Sequence, residues 1–545
     1  MHPDPSTTPG RAARIPTLLG DLLVSGASHG TDRPALREGS RSLTYGELLA
    51  LAHDVAHGLL ALGLGPGERV AIYLPKTVPM VAAAFGTALA GGVFVPVNPV
   101  LKGAQVAHIV RDSGARVLIT AAPRLAAVAG ALADCPALTH VVLTDRVTTP
   151  GTGNPAQLDW PALLAAGHGA RAGHRRIDAD LAAIFYTSGS TGAPKGVMLS
   201  HRNLVAGAVS VASYLGNHAD DRILAVLPLS FDAGFSQLTT GFLSGACVTL
   251  LDYLLAGDVA RTVATHGITG ITGVPPLWSQ VADAAWPPGA STTVRYIATT
   301  GGVMPPTLLK KLRAVFPNAR PYLMYGLTEA FRSTYLPPEE ADARPESIGQ
   351  AIPNAEILVL REDGTPCAPG EPGELVHRGA LVSLGYWNAP ELTARRFRPI
   401  PGGVTQGGQP ELAVWSGDTV VRDADGFLYF RGRRDEMIKS SGYRISPTEV
   451  EDLVLQSGLA SEVVALGLPD ERLGQAVAII AVTSAAAADR PEDARTAALL
   501  AHCKETMPLY MVPARIAWRT ALPRNPNGKY DRVALRGEFT DGATG

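Results

Sequence analysis

Cysteine is scarce: four residues in 545, at Cys135, Cys247, Cys367 and Cys503, with no Cys-x-x-Cys pair and no Cys/His cluster. That spacing argues against a disulfide framework and a structural zinc site, and makes a reducing, cytoplasmic setting the expectation. An excess of one charge is also missing. The 47 Lys plus Arg nearly balance 49 Asp plus Glu, leaving a net charge of −2. Nucleic-acid binders usually need a basic excess to replace phosphate counterions, so no such partner is expected. No apolar run follows the polar first residues, which argues against a secretory signal. Repeats, charge runs and heptads are lacking too, which disfavours an interaction module. One uncharged stretch, residues 80–97, meets the crude length of a membrane span. It is mostly Ala, Gly, Val and Thr, and Gly91, Gly92 and Pro96 interrupt it. It reads as a buried helix, a glycine turn and a core strand, not a span.

What is present is ordinary globular material. With 46% apolar and 18% charged residues, neither a largely disordered nor a collagen-like chain fits. The length exceeds what one hydrophobic core usually organises, so at least two domains are expected. Thr44 followed by Glu47 makes a capping box, and Leu48, Leu51, Val55 and Leu59 repeat behind it at helical spacing. Short apolar runs at 69–74, 93–97, 117–120, 141–144, 181–186, 223–227, 248–251 and 294–299 read as strands. Continuous apolar strands separated by amphipathic helices imply sheets covered on both faces, hence an α/β class. Past Ala355 the runs shorten (357–360, 373–377, 426–430) between Gly, Pro and Asp-Gly turns, a small β-rich region. Helix and strand alternate again from Ile445 to about Leu535. Residues 485–489 read as a surface loop, and the tail after Gly537 as a loose end.

The strongest local signal follows the 181–186 strand: Thr187, Ser188, Gly189, Ser190, Thr191, Gly192, Ala193, Pro194, Lys195. Its glycines let backbone approach an anion, while its hydroxyls and one ammonium supply donors for phosphate oxygens. It is not a Walker A loop, since Lys195 follows Pro194 and no Ser or Thr comes next. Lysine use is a second, weaker signal. Only eight lysines stand against 39 arginines, yet Lys195, Lys439 and Lys529 all sit in glycine-bearing polar segments, where a compact point charge suits an anion. Tyr325-Gly326-Leu327-Thr328-Glu329 sets a hydroxyl beside a carboxylate, suiting a phosphate and its Mg²⁺. Ser416-Gly417-Asp418 offers a carboxylate after a glycine turn, able to accept two ribose hydroxyls. Gly432-Arg433-Arg434-Asp435-Glu436 leads through Lys439 into Gly442-Tyr443-Arg444, a charged passage before the last block. Each alone fits a turn or a solvated ion pair; the ordered set is harder to attribute to chance.

These motifs, with Pro523-Arg524-Asn525-Pro526-Asn527-Gly528-Lys529, resemble the adenylate-forming superfamily of acyl-CoA synthetases, adenylation domains of non-ribosomal peptide synthesis, and luciferases. The resemblance runs from about Leu18 to about Leu535. Residues 224–242 and 323–340 look most like AMP-forming ligases of bacterial exosortase-associated clusters and stand-alone enzymes that load amino acids onto carrier proteins. The resemblance implies a large N-terminal domain (18–434) of two layered α/β sheets plus a β-rich region, and a small mobile α+β C-terminal domain (435–537). Tails flank them at 1–17 and 538–545.

It also implies a chemistry. ATP and Mg²⁺ would activate a carboxylic acid as acyl-AMP with release of pyrophosphate. The acyl group would pass to the thiol of CoA or a carrier-protein phosphopantetheine. Residues Thr187, Ser188, Gly189, Ser190, Thr191, Gly192 and Lys195 would hold the β- and γ-phosphates. Gly301, Gly302 and Tyr325 would flank adenine, Thr328 would touch the α-phosphate, and Glu329 would hold Mg²⁺. Asp418 and Arg433 would grip the ribose. Asp435 matches the hinge, Gly442 the thiol tunnel, and Arg444 a contact to phosphate. Lys529 matches the lysine bridging substrate carboxylate and α-phosphate.

Asp232 falls where amino-acid-activating members keep an aspartate for the substrate ammonium; a structural pairing with Arg332 is the other reading. Ala233, Ser236, Ala298, Thr300 and Ser333 are further implied pocket positions. A non-catalytic homologue would be expected to have lost Lys529, Glu329 or Asp418, and all three are here. A non-thiol acceptor is the remaining alternative. Because the sequence stops just past Lys529, the thiol is expected from CoA or a free partner protein.

Overall fold

The computed structural model describes residues 15–145, 155–167, 173–187, 194–302, 304–402, 405–406, 409–433, 437–523 and 530–541. Asp435, Lys529 and the stretch from Ser188 to Ala193 lie outside the described residues.

Two sheets build the large lobe. The first has seven strands, with Arg69–Tyr73 central and parallel to Val93–Pro96 and Val117–Thr120. Its far edge is a hairpin, Leu181–Thr187 paired antiparallel with Lys195–Ser200, in which Thr187 faces Lys195. The second sheet joins parallel strands Cys247–Leu250, Arg222–Ala225, Gly270–Gly273, Tyr296–Thr299 and Arg320–Tyr325 to an antiparallel extension. That extension runs through Ser347–Ala351, Leu428–Arg433, Leu412–Arg422 and Pro372–Gly379 to Ala355–Leu360. The parallel strands are almost wholly buried, as their unbroken apolar character requires.

The uncharged stretch is helix Val78–Ala90, left-handed Gly91 (φ 85°) and strand Val93–Pro96. Only a residue without a Cβ takes that helix end without strain. Among the described residues no helix is long and apolar enough to cross a membrane. Helix Tyr45–Ala61 carries the expected capping box, Thr44 and Glu47 each bonding the other's backbone N–H.

The packing of this lobe positions the site. Phe85 of helix Val78–Ala90 and Phe235 and Phe242 of helix Asp232–Leu243 interlock with Phe94 and Phe185 of the first sheet, all buried. Burying each aromatic stabilises by about 1.5–3 kcal/mol. The helix that begins at Asp232 is therefore clamped between the two sheets, and its first residue has little freedom to move.

The small lobe is a five-stranded sheet of Tyr443–Ile445, Ile438–Ser440, Gly474–Thr483, Ala460–Asp470 and Arg515–Arg519, covered by helices Pro447–Leu455 and Glu492–Thr506.

Three expectations are corrected. Ala485–Ala487 is a 3₁₀ turn with Ala487 buried, not a plain surface loop. The end after Gly537 is not loose as far as Asp541, because helix Arg532–Asp541 seats Leu535 in a core cluster and pairs Glu538 with Arg519. The glycine ahead of Asp418 is left-handed (φ 68°) but reverses no chain: both residues lie inside the long strand Leu412–Arg422.

Candidate active site

Asp418 owes its aim to a bulge. Across the strand pair, Glu374 sits opposite Thr419 and Val376 opposite Trp415. Three residues, Ser416, Gly417 and Asp418, thus face the single residue Leu375, and extra residues in one strand bend it and re-aim its side chains. Ser416 Oγ donates to Leu375 O at 2.6 Å, and Gly417 N–H donates to Glu374 Oε1 at 2.9 Å. The carboxylate of Asp418 is buried (1% exposed) and accepts from the Tyr325 hydroxyl. Arg433 stands opposite Asp418 in the strand register.

Tyr325 ends strand Arg320–Tyr325, and the 3₁₀ turn Thr328–Ala330 follows. The next residue, Phe331, has φ 56° and ψ −53°. Arg332 N–H reaches back to Ala330 O at 2.6 Å, closing a γ-turn around Phe331. A non-glycine residue there stores strain, held by packing of the Phe331 ring against Gly207, where a Cβ would lie 2.3 Å from the ring. The sharp turn separates Glu329, buried beside Tyr386, from Arg332, which lines the interlobe cavity.

Glu329 is buried, and its Oε1 accepts from Tyr386 Oη at 2.6 Å. Its Oε2 is also buried, with no hydrogen-bond partner among the described residues. Burial alone pushes this carboxyl up; Arg396, Arg444 and the Tyr386 hydroxyl outweigh it and hold it below the ordinary glutamate range. A charged, buried, acceptor-only oxygen fits a hard dication such as Mg²⁺. Among the described residues no group of three His, Cys, Asp or Glu side chains could hold a metal. Phosphate oxygens and water would have to complete the shell.

Asp232 and Arg332 meet at 3.2 Å from Nη1 to Oδ2, with side chains 13% and 3% exposed. Burial raises the Asp232 carboxyl above its ordinary value, and the Arg332 guanidinium only partly offsets that. Arg332 also donates to Phe331 O, while its Nε is buried without a hydrogen-bond partner among the described residues. The pairing raised as the structural reading of Asp232 is thus present in the fold.

The surrounding cavity, about 400 Å³, takes its walls from both lobes. The large lobe contributes Thr187, Asp232, Ala233, Thr300, Gly301, Gly302, Tyr325, Thr328 and Arg332. The small lobe contributes Lys439, Gly442, Tyr443, Arg444 and Glu449. Gly442 has φ 82°, and a Cβ there would lie 2.9 Å from Val274 Cγ1, so close approach and backbone conformation both call for glycine. Tyr443 meets the Phe231 ring edge-on at 5.2 Å and stacks on Tyr510 at 3.7 Å. Burial would lower the Arg444 guanidinium, yet the Asp418 and Glu329 carboxylates leave it raised. Lys195 lies 5.9 Å from the centroid of the Tyr386 ring.

Ser236, Ala298 and Ser333 are not among the lining residues. Ser236 is packed into its helix, Ala298 sits in a core cluster, and Ser333 Oγ pairs with His377 Nδ1 at 2.9 Å. The sequence reading passed over Tyr386 and Arg396, and the interlobe pair Gln105–Glu449 (Nε2 to Oε1, 2.9 Å). An aromatic after a glycine in Gly385-Tyr386-Trp387-Asn388 was the available hint for Tyr386; Arg396 offered none.

Comparison with known proteins agrees with this geometry. A family model described as AMP-binding enzyme matches residues 24–387, and one for the AMP-binding enzyme C-terminal domain matches 449–529. Malpinin synthetase of Mortierella alpina is 30% identical over 520 residues, 92% of this chain and 6% of that protein. The chain spans less than a tenth of the length of the large synthetases it matches. Sulfoacetate–CoA ligase of Cupriavidus necator is 31% identical over 95% of this chain and 97% of its own length. Among solved structures, VinN in complex with L-aspartate superposes with a TM-score of 0.65 at 31% identity, covering 77% of this chain and 100% of VinN.

Proposed function

The chain belongs to the AMP-binding enzyme family, and on that premise we propose that it is an ATP-dependent ligase joining a carboxylic acid to a thiol. The acid attacks the α-phosphoryl group of ATP, pyrophosphate leaves, and a thiol of CoA or carrier-protein phosphopantetheine displaces AMP from the mixed anhydride. One observation carries this reading: the nucleotide-type residues Thr187, Gly301, Gly302, Tyr325 and Thr328, the acid-type pair Asp232 and Arg332, and Gly442 and Arg444 of the small lobe line a single cavity.

Within it, Tyr325 holds Asp418 so that the carboxylate can accept ribose hydroxyls. Thr328 faces the α-phosphate, with Gly301 and Gly302 beside the adenine. Thr187 and Lys195 end two paired strands, and Ser188, Gly189, Ser190, Thr191 and Gly192 between them would hold the outer phosphates. Arg444 brings a cation towards the buried carboxylates and the phosphates beside them. Mg²⁺, when bound at Glu329, would offset charge developing on the phosphoryl oxygens. Tyr443, packed between Phe231 and Tyr510, helps keep water from the hydrolysable anhydride. Lys529 neutralises charge at the attacking carboxylate, and Asp435 is the hinge about which the small lobe (435–537) turns on the large one (18–434).

For the acid itself, Asp232 and Arg332 present one carboxylate and one guanidinium side by side. That pair complements a substrate bearing an ammonium and a second carboxylate besides the one activated. VinN in complex with L-aspartate, a compound of that kind, supports this reading, and the CoA ligase relative supports a thiol acceptor. Pyrophosphate exchange across fatty, aryl and amino acids tests it. Exchange with an amino dicarboxylate but not with fatty acids is expected. Exchange with uncharged acids alone removes the amine reading, and none with any acid removes acid activation. Mass analysis after adding CoA or a holo-carrier protein identifies the acceptor.

A further inference from the structure

The Tyr386 hydroxyl donates to Glu329 Oε1, and the backbone around it ties the Glu329 turn to the strand that carries Lys195. Ser383 N–H donates to Glu329 O at 2.9 Å. Leu384 N–H donates to Met198 O and Met198 N–H to Gly385 O, both at 2.9 Å, while Trp387 N–H donates to Gly196 O at 2.7 Å. Residues 383–387 therefore hold the return strand Lys195–Ser200 on one side and the 3₁₀ turn of Glu329 on the other. Tyr386 is the side chain at this junction. Its ring packs edge-on against Phe397 at 5.7 Å, Lys195 Nζ lies 5.9 Å from the ring centroid, and its hydroxyl reaches Glu329 at 2.6 Å.

A carboxylate on a short 3₁₀ turn has rotamers that would aim both oxygens elsewhere. Engaging Oε1 fixes the carboxylate plane and leaves Oε2, the buried oxygen without a partner, as the one presented to a cation. We propose that Tyr386 is a positioning residue: it holds Glu329 so that one oxygen addresses the divalent cation, and keeps that oxygen in register with the phosphate-binding hairpin. This rests on the reading of Glu329 as the Mg²⁺ ligand. Second-sphere donors to a metal-binding carboxylate commonly set affinity in this way.

The test is Mn²⁺ binding to the full chain with ATP and no acid, followed by electron paramagnetic resonance, with ATP binding in EDTA as the reference. Tyr386→Phe keeps the ring and removes only the donor. It is expected to weaken Mn²⁺ about tenfold while metal-free ATP binding stays within about twofold. Glu329→Gln is expected to weaken Mn²⁺ at least as much. In the double variant Tyr386→Phe should add nothing further, since its effect runs through Glu329. Phe397→Leu, which loosens the ring's packing and leaves the hydroxyl, should keep Mn²⁺ affinity.

Four outcomes overturn the proposal: unchanged Mn²⁺ affinity in Tyr386→Phe, equal losses with and without metal, additive losses in the double variant, or a Phe397→Leu loss matching that of Tyr386→Phe. If Glu329→Gln itself leaves Mn²⁺ binding untouched, it is the ligand reading that fails.

Discussion

Arg332 is buried and the Asp232 side chain is 13% exposed, so each depends on the other more than a surface pair would. Removing one partner strands a charge with little solvent to receive it, a loss of about 3–5 kcal/mol. Asp232→Asn should therefore lower the unfolding free energy by about 3 kcal/mol, measured by urea denaturation. The double variant Asp232→Asn with Arg332→Gln should recover most of that stability and none of the exchange activity with amine-bearing acids. Recovery of both would mean the pair is a structural tie alone. Exposed pairs such as Lys311–Asp283, with side chains 62% and 64% exposed, carry no such expectation, because solvent screening leaves them about 0–1 kcal/mol.

At the scale of elements, the reach of strand Tyr443–Ile445 and the loop before it decides what the small lobe can deliver. Gly442 enters the cavity because nothing projects from its Cα; Val274 occupies the space a side chain would need. Gly442→Leu should block acyl transfer to the thiol while sparing pyrophosphate exchange, because the added side chain would meet Val274 of the large lobe. Equal loss of both half-reactions would show that the substitution disrupts the small lobe itself. Helix Pro447–Leu455 departs from local rules in a related way. Ser446 caps the helix by accepting from Glu449 N–H, yet the Glu449 side chain turns from its own helix to Gln105 of the large lobe. A local hydrogen bond forgone for a distant one marks a place where lobe contact outweighs helix capping.

For the whole molecule, protonation of Glu449, bonded across the lobes to Gln105, is expected to bear on lobe arrangement. Burial between the lobes is the largest influence on it, and nearby Asp452 adds to that; the Gln105 hydrogen bond opposes both, leaving its pKa raised from 4.5 to about 7. Tyr510 and Tyr443 from the adjoining small-lobe segments face the same interface. The sign follows directly. A carboxyl raised in one arrangement binds more protons there, so that arrangement is most favoured below pH 4.5 and loses ground as pH rises to about 7. Glu449→Gln, which stays neutral, should flatten the pH dependence of interlobe fluorescence energy transfer between those values; an unchanged profile would exclude Glu449 as its source. The proposed turning of the small lobe would have Lys529→Ala abolish adenylate formation and largely spare thioester formation from supplied acyl-adenylate. Equal loss in both steps would refute that division of labour.

The strands Val117–Thr120 and Leu181–Thr187, the helix capped by Thr44, the glycine turn at Gly91 and the order of the nucleotide motifs could all be read along the chain. Each depends on neighbours a few residues apart, where periodicity, capping and turn chemistry operate. The bulge that aims Asp418, the γ-turn at Phe331, the hydroxyl of Tyr386 on Glu329 and the bond from Gln105 to Glu449 could not. Each joins segments whose separation along the chain bears no relation to their distance in space, and each exists only after strands have chosen partners and the lobes have met. Residue types announced the chemistry; pairing register and lobe packing chose which oxygen, and which face of each carboxylate, is left to perform it.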